Sequence, residues 1–178
     1  TASGSVEDYA NGTYTLSASN YEETSNYLYH VLASGSGTGF DWLTDNGAYD
    51  TSGVYTGATT TTVGAVDYKG EWIQIQLPYH LVLSRLQTQN DATDLSGSLK
   101  IVHLMGSNDN GSTFEYVVEA SLSESATTDT PFTTYHRYST FRMVVESTHG
   151  GSDVRLGFWS LSGTGVSEFP FGYTTYNY

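Results

Sequence analysis

Between Gly70 and Pro78 apolar and polar side chains alternate with a period of two, which predicts a half-buried strand. Ile73, Ile75 and Leu77 then share one face, and Trp72, Gln74 and Gln76 share the other. Pro78 has no N–H to donate, so the ladder is expected to end there or to lie at an edge. The same period recurs where Tyr14, Leu16 and Ala18 alternate with Thr13, Thr15 and Ser17. Thr59 to Val63 is a β-branched run with strand character. Further strands are predicted over 82–88, with Leu86 in the core, and over 98–106, 114–122, 140–147 and 154–162. Asn108-Asp109-Asn110-Gly111 is the strongest hairpin signal in the chain. No long stretch has a helical period.

Three segments in order carry a family resemblance. They are Gly70 to Pro78; Leu104-Met105-Gly106-Ser107-Asn108-Asp109-Asn110-Gly111 with Phe114; and Tyr138 to Val145 leading to Leu156-Gly157-Phe158-Trp159-Ser160-Leu161-Ser162-Gly163. Together they resemble a discoidin or coagulation-factor type C domain, closest to the divergent branch seen in large-virus, algal and protist surface proteins. The resemblance spans roughly residues 20–163. It implies an all-β, galactose-binding-like jelly-roll sandwich of about eight antiparallel strands. Residues 1–19 then form an N-terminal arm with a strand-like segment, and residues 164–178 an aromatic C-terminal tail. The family's register places Val102 and Leu104 inward, with Lys100 and His103 on the opposite face. Residues 20–31 fall where the family has its opening loop and a short helical turn, and the glycine-rich loop 34–41 leads into a buried Trp42.

Composition narrows the partners. The 178 residues suit one domain with tails better than two. Only 14% are charged, and six Lys plus Arg stand against nineteen Asp plus Glu, a formal charge of −13. Such a surface repels a phosphate backbone, so nucleic acid and anionic membranes are disfavoured, and no apolar run is long enough to span a bilayer. With no cysteine there is neither a disulfide framework nor a thiolate metal site. The chain begins at Thr1 without a methionine or an apolar leader, which is compatible with a mature secreted protein or a trimmed segment. The sequons at Asn11 and Asn110 favour a secreted or surface location, such as a virion surface, with N-glycosylation at both.

Candidate chemistry is sparse. Glu22 and Glu23 are sequence neighbours whose side chains point apart, so they do not form a catalytic pair. His30, His80, His103, His136 and His149 fall in no two-ligand spacing, and no G-x-S-x-G elbow presents a serine. An enzyme is therefore not expected. Relatives of the resembled family hold calcium with an aspartate in the opening loop and a glutamate before the final Trp-like position. Here the loop reads His30-Val31-Leu32-Ala33 and Phe158 precedes Trp159, so the usual site is expected to be absent and no cofactor is implied. Asp41, Asp45 and Asp50 remain as donors for a different site.

Two functions fit. In the first, favoured reading, the sandwich is a structural or adhesive subunit of a fibre or virion layer. Its terminal segments, through Tyr14, Leu16, Phe169, Phe171, Tyr173 and Tyr176, would link copies into a homopolymer by strand addition. In the second it is a monomeric lectin-like module that binds glycans through loop residues Tyr49, Tyr55, Asn90, Asp91, His149 and Asp153. Arg85 and Arg142, in strands, are expected to serve ion pairs.

Overall fold

The computed structural model describes residues 5–9, 12–21, 28–32, 42–45, 47–90, 94–166 and 173–176. Twelve strands follow in chain order: β1 (Ser5–Tyr9), β2 (Gly12–Ala18), β3 (Trp42–Leu43), β4 (Thr60–Val63), β5 (Val66–Lys69), β6 (Glu71–Asn90), β7 (Leu99–Ser107), β8 (Glu115–Ser121), β9 (Thr127–Pro131), β10 (Arg137–Thr148), β11 (Arg155–Val166) and β12 (Tyr173–Tyr176). All pairings are antiparallel. One layer has the order β1-β2-β6-β10-β7-β8. In the other, β6 lies between β9 and β11, and β3 and β12 extend the far side of β11. β4 and β5 form a separate hairpin.

The organising strand is twice as long as its alternation predicts. Glu71 to Asn90 is a single strand of 20 residues that serves both layers. Its first part pairs with β2 and β10 as far as Gln76, and its last part pairs with β9 and β11. The expected break at Pro78 and the separate strand over 82–88 are thus replaced by a corner. Pro78 sits there between ladders, where no neighbour asks for its N–H: β10 jumps from Thr140 opposite Gln76 to Tyr138 opposite Leu81. A second irregularity lies at Ser84, where Arg85 pairs with Ser162 but Leu83 with Gly163. Accordingly the buried set changes parity, from Ile73, Ile75, Leu77, Leu81 and Leu83 to Leu86, Thr88 and Asn90.

The core between the layers holds Trp42, Trp159, Phe141, Leu16, Leu104, Val102 and Met143, all at most 2% exposed. The segments expected to lie outside the sandwich add strands to it. Tyr14, Leu16 and Ala18 on β2 are buried, and β2 pairs Thr15 to Ala18 with Gln76 to Ile73 of the same chain. β12 pairs with Gly163 to Val166 of β11. The Asn108–Gly111 turn joins β7 to β8, with Asn110 at φ 60° and Gly111 at φ 80°, the left-handed pair that such a hairpin requires.

Candidate functional site

The outer face of the first layer is partly roofed by the β4–β5 hairpin. The cross-strand pair Thr61 and Tyr68 turns towards the sheet. Buried Thr61 accepts a hydrogen bond through Oγ1 from Arg142 Nη1 at 3.1 Å. Arg142 lies between two rings, 3.8 Å from the Trp72 centroid and 4.3 Å from that of Phe114. It also donates from Nε and Nη2 to Gln74 Oε1 at 3.1 and 2.8 Å. Burial pushes its guanidinium down to about 10, still a cation at neutral pH. Arg142 is thus a clamp under the hairpin, while Arg85 makes a surface ion pair with Asp129 at 3.1 Å.

Along β5, the other strand of the hairpin, the roof opens into a cleft. Tyr68 stacks on Tyr116, with centroids 5.3 Å apart and planes at 21°, and packs 4.9 Å from the His103 ring. His103 is buried and donates from Nε2 to Glu146 Oε2 at 2.5 Å. Its Nδ1 lies 3.9 Å from Glu119 and makes no hydrogen bond among the described residues. Tyr116 and Glu119 share this face, although three apart, because the ladder skips Val117 between Leu104–Val118 and Met105–Tyr116. Desolvation, then the charge of Glu119, raises the Tyr116 phenol above its ordinary range, with Tyr68 and Glu146 adding to the shift.

The cleft has a volume of about 420 Å³ and is lined by Val54, Tyr55, Val66, Asp67, Tyr68, Lys69, His103 and Glu146. Val54 and Val66, each 53% exposed, line it, and Tyr116, 41% exposed, backs the Tyr68 ring. Tyr55 is fixed at its rim by a buried carboxylate. Its hydroxyl donates to Glu71 Oε1 at 2.9 Å and accepts from the Thr59 N–H at 2.9 Å, and Ser19 Oγ donates to the other oxygen of Glu71. Rings, imidazole, carboxylates and one ammonium are the groups that complement the C–H faces and hydroxyls of a polyhydroxylated ligand.

A second polar region lies at the loop end of the sandwich. Its loops are stitched by main-chain bonds, from His149 N to Ser98 O at 3.1 Å, Gly151 N to Ser96 O at 2.7 Å and Tyr49 N to Ser152 O at 3.2 Å. Arg155 bridges Asp94 at 2.6 Å and buried Asp153 at 3.1 Å. Hydrogen bonds from Ser96, and then the Arg155 charge, hold the Asp94 carboxyl below its usual range.

Solved structures with this arrangement include the family 32 carbohydrate-binding module of Clostridium perfringens NanJ in complex with galactose, 11% identical over 89% of this chain and 98% of that one, TM-score 0.61. A C. perfringens CBM32 module in complex with GalNAc-β-1,3-galactose is 12% identical over 88% and 99%, TM-score 0.63. Chitosan-binding module 1 from a Paenibacillus chitosanase/glucanase is 14% identical over 83% and 93%, TM-score 0.59. This is the galactose-binding-like, discoidin-type fold. No protein-family model and no curated protein matches the sequence.

Within the galactose-binding-like fold the sequence-predicted loop residues separate. Tyr55 lines the cleft. Tyr49 is 2% exposed and works inside: its hydroxyl donates to Val145 O at 2.8 Å and accepts from Glu71 N at 3.2 Å, and burial raises its phenol far above the ordinary range. Asn90 is buried and donates to Ser125 O at 2.8 Å. His149, half-buried, donates from Nε2 to Leu122 O at 3.0 Å. Asp153 is committed to Arg155. Asp91, Asn11, Phe169 and Phe171 lie outside the described residues; Asn110 is exposed on its turn, its Oδ1 accepting from Gln76 Nε2 at 2.9 Å. Tyr173 and Tyr176 stand opposite Val166 and Gly163.

Calcium finds no carboxylate ligand in the described part of the opening loop, His30-Val31-Leu32, or before Trp159, the places that the resemblance would assign it. Val31 is a fully buried apolar side chain, and Phe158 is buried as well. Asp50 Oδ1 already accepts from the N–H groups of Ser52 and Val54 at 2.8 and 3.0 Å. Among the described residues no three His, Asp or Glu side chains are grouped to share an ion. The cleft residues Tyr68, Tyr116, Asp67 and Glu146 were not legible as a site, and His103 was legible only as outward-facing.

Proposed function

We propose that this chain is a non-catalytic carbohydrate-binding module whose sugar site is the cleft beneath the β4–β5 hairpin. The observation that carries the reading is the gathering of exposed Val54 and Val66 with the Tyr55 ring and the Tyr68 ring, which Tyr116 backs, beside carboxylates and an imidazole. Aromatic and aliphatic faces match the C–H faces of a sugar ring, and the charged groups match its hydroxyls. Structural neighbours crystallised with galactose and with GalNAc-β-1,3-galactose support the ligand class.

The same reading suits a secreted or surface protein, with the exposed Asn110 sequon open to glycosylation. A subunit linked through its terminal strands draws no support from their placement, because β2 and β12 pair within the chain. The test is a glycan array probed with the wild type and with Tyr116→Ala. Retention of defined oligosaccharides by the wild type, lost in the variant, is expected; retention unaffected by the variant moves the site elsewhere, and no retention ends the reading.

A further inference from the structure

The cleft carries a charge balance of its own. Asp67 and Glu146 line it, and Glu119 stands behind them, 3.9 Å from His103 Nδ1, whereas Lys69 is the one permanently cationic side chain in the lining. Both Glu119 and Glu146 are about half exposed at the side chain, 54% and 52%, so their charge reaches the opening. Desolvation first, and then the charges of Glu119 and Glu146, raise the phenol of Tyr116, the ring stacked behind Tyr68. Among the described residues these carboxylates are not grouped to share a metal ion. The Arg142 guanidinium, under the same hairpin, is held between Trp72 and Phe114. The whole chain, at −13, adds repulsion for any anion.

We infer that the cleft selects sugars bearing a protonated amino group, as in glucosamine oligomers, over their N-acetylated and acidic counterparts. The inference rests on the reading of the cleft as a sugar site. An ammonium on a ring stacked against Tyr68, whose other support is Tyr116, gains attraction both from the aromatic face and from Glu146 and Asp67. An N-acetyl group of the same sugar keeps the stacking but loses the charge. A uronic acid keeps the hydroxyls and meets like charge, which is the element that rejects it. Exposed carboxylates give a modest gain, so the expected preference is about tenfold in Kd at low salt, falling as salt screens it.

The experiment titrates the full chain calorimetrically with tetramers of glucosamine, N-acetylglucosamine and galacturonic acid at about pH 5.5, at low salt and again at roughly 0.5 M NaCl, where screening is strong. Wild type, Glu146→Gln, the double variant Asp67→Asn with Glu146→Gln, and Tyr116→Ala are compared. The amide oxygen introduced by Glu146→Gln can still accept from His103, so these variants keep the packing, and a thermal melt checks it. Expected are tightest binding of the glucosamine tetramer, loss of most of its advantage in the double variant and at high salt, and loss of all binding in Tyr116→Ala. Equal or tighter binding of the acetylated or acidic tetramer, abolished by Tyr116→Ala, overturns the charge preference and leaves the sugar site standing. A glucosamine advantage untouched by the double variant also overturns it. Binding of none of the three, or binding indifferent to Tyr116→Ala, overturns the site together with the inference.

Discussion

Arg142 lies 3.8 Å over the ring of Trp72, with Phe114 4.3 Å away, so one guanidinium joins β6, β10 and the start of β8. It also reaches Thr61 of the hairpin that roofs the cleft. Arg142→Ala removes the cation, two ring contacts and three hydrogen bonds, and is expected to cost about 2–3 kcal/mol in urea unfolding. Arg142→Lys keeps the charge but not the planar fork, and a loss of about 1 kcal/mol is expected. An alanine variant as stable as the wild type would show the clamp to be ornamental.

The β7–β8 turn is expected to weaken in acid. Asp109 Oδ1 accepts from Ser107 Oγ at 2.7 Å and from Thr113 N at 2.9 Å, and Oδ2 accepts from Thr113 Oγ1 at 2.6 Å. These bonds lower its carboxyl from 3.8 to about 2. A carboxyl depressed in the folded state stabilises fully above the unfolded value and loses that contribution as pH falls towards the folded one. Stability should therefore drop between about pH 4 and 2, and Asp109→Asn should flatten that limb. Thermal melts across this range decide it; an unchanged acid limb in the variant refutes the assignment.

Gly163 pairs with Leu83 where β11 crosses the Ser84 irregularity, and a Cβ there would collide with the Val82 carbonyl. Backbone cannot step aside as a flexible side chain does. Gly163→Ala should cost about 2 kcal/mol, measured by chemical denaturation. Tolerance of alanine would mean that the two strands separate more easily than their register implies.

Leu16 is fully buried on β2. Leu16→Ala should cost about 3 kcal/mol, and deletion of residues 1–18 should lower the melting temperature steeply rather than merely abolish self-association. If the truncated protein melts like the intact one, β2 contributes contacts without contributing stability.

Much of the sandwich was legible because alternation reports directly on burial. Ile73, Ile75 and Leu77 face the core as their spacing requires, and Asn110-Gly111 makes the hairpin that its left-handed residues allow. The length of β6 was not, because Pro78 reads as a stop whether a strand ends or merely turns a corner. The cleft was hidden for a related reason. Tyr116 and Glu119 share a face only through a skipped residue, and Tyr68 reaches them from a hairpin whose docking no local pattern encodes. Tyr49 and Asn90, conversely, look like loop residues and are spent on internal hydrogen bonds.

The single strand β6 sets the order in which the molecule can be made. Its first half finds β2 only a short way upstream, but its second half waits for β9 and then for β11; the Thr88–Thr128 bond spans 40 positions and the Ser84–Ser162 bond 78. Closing such large loops is slow, and during synthesis the latter half of β6 emerges well before its partners. Until then it is an unpaired edge carrying Leu81, Leu83 and Leu86, the stretch at which a nascent chain would need shielding from its neighbours.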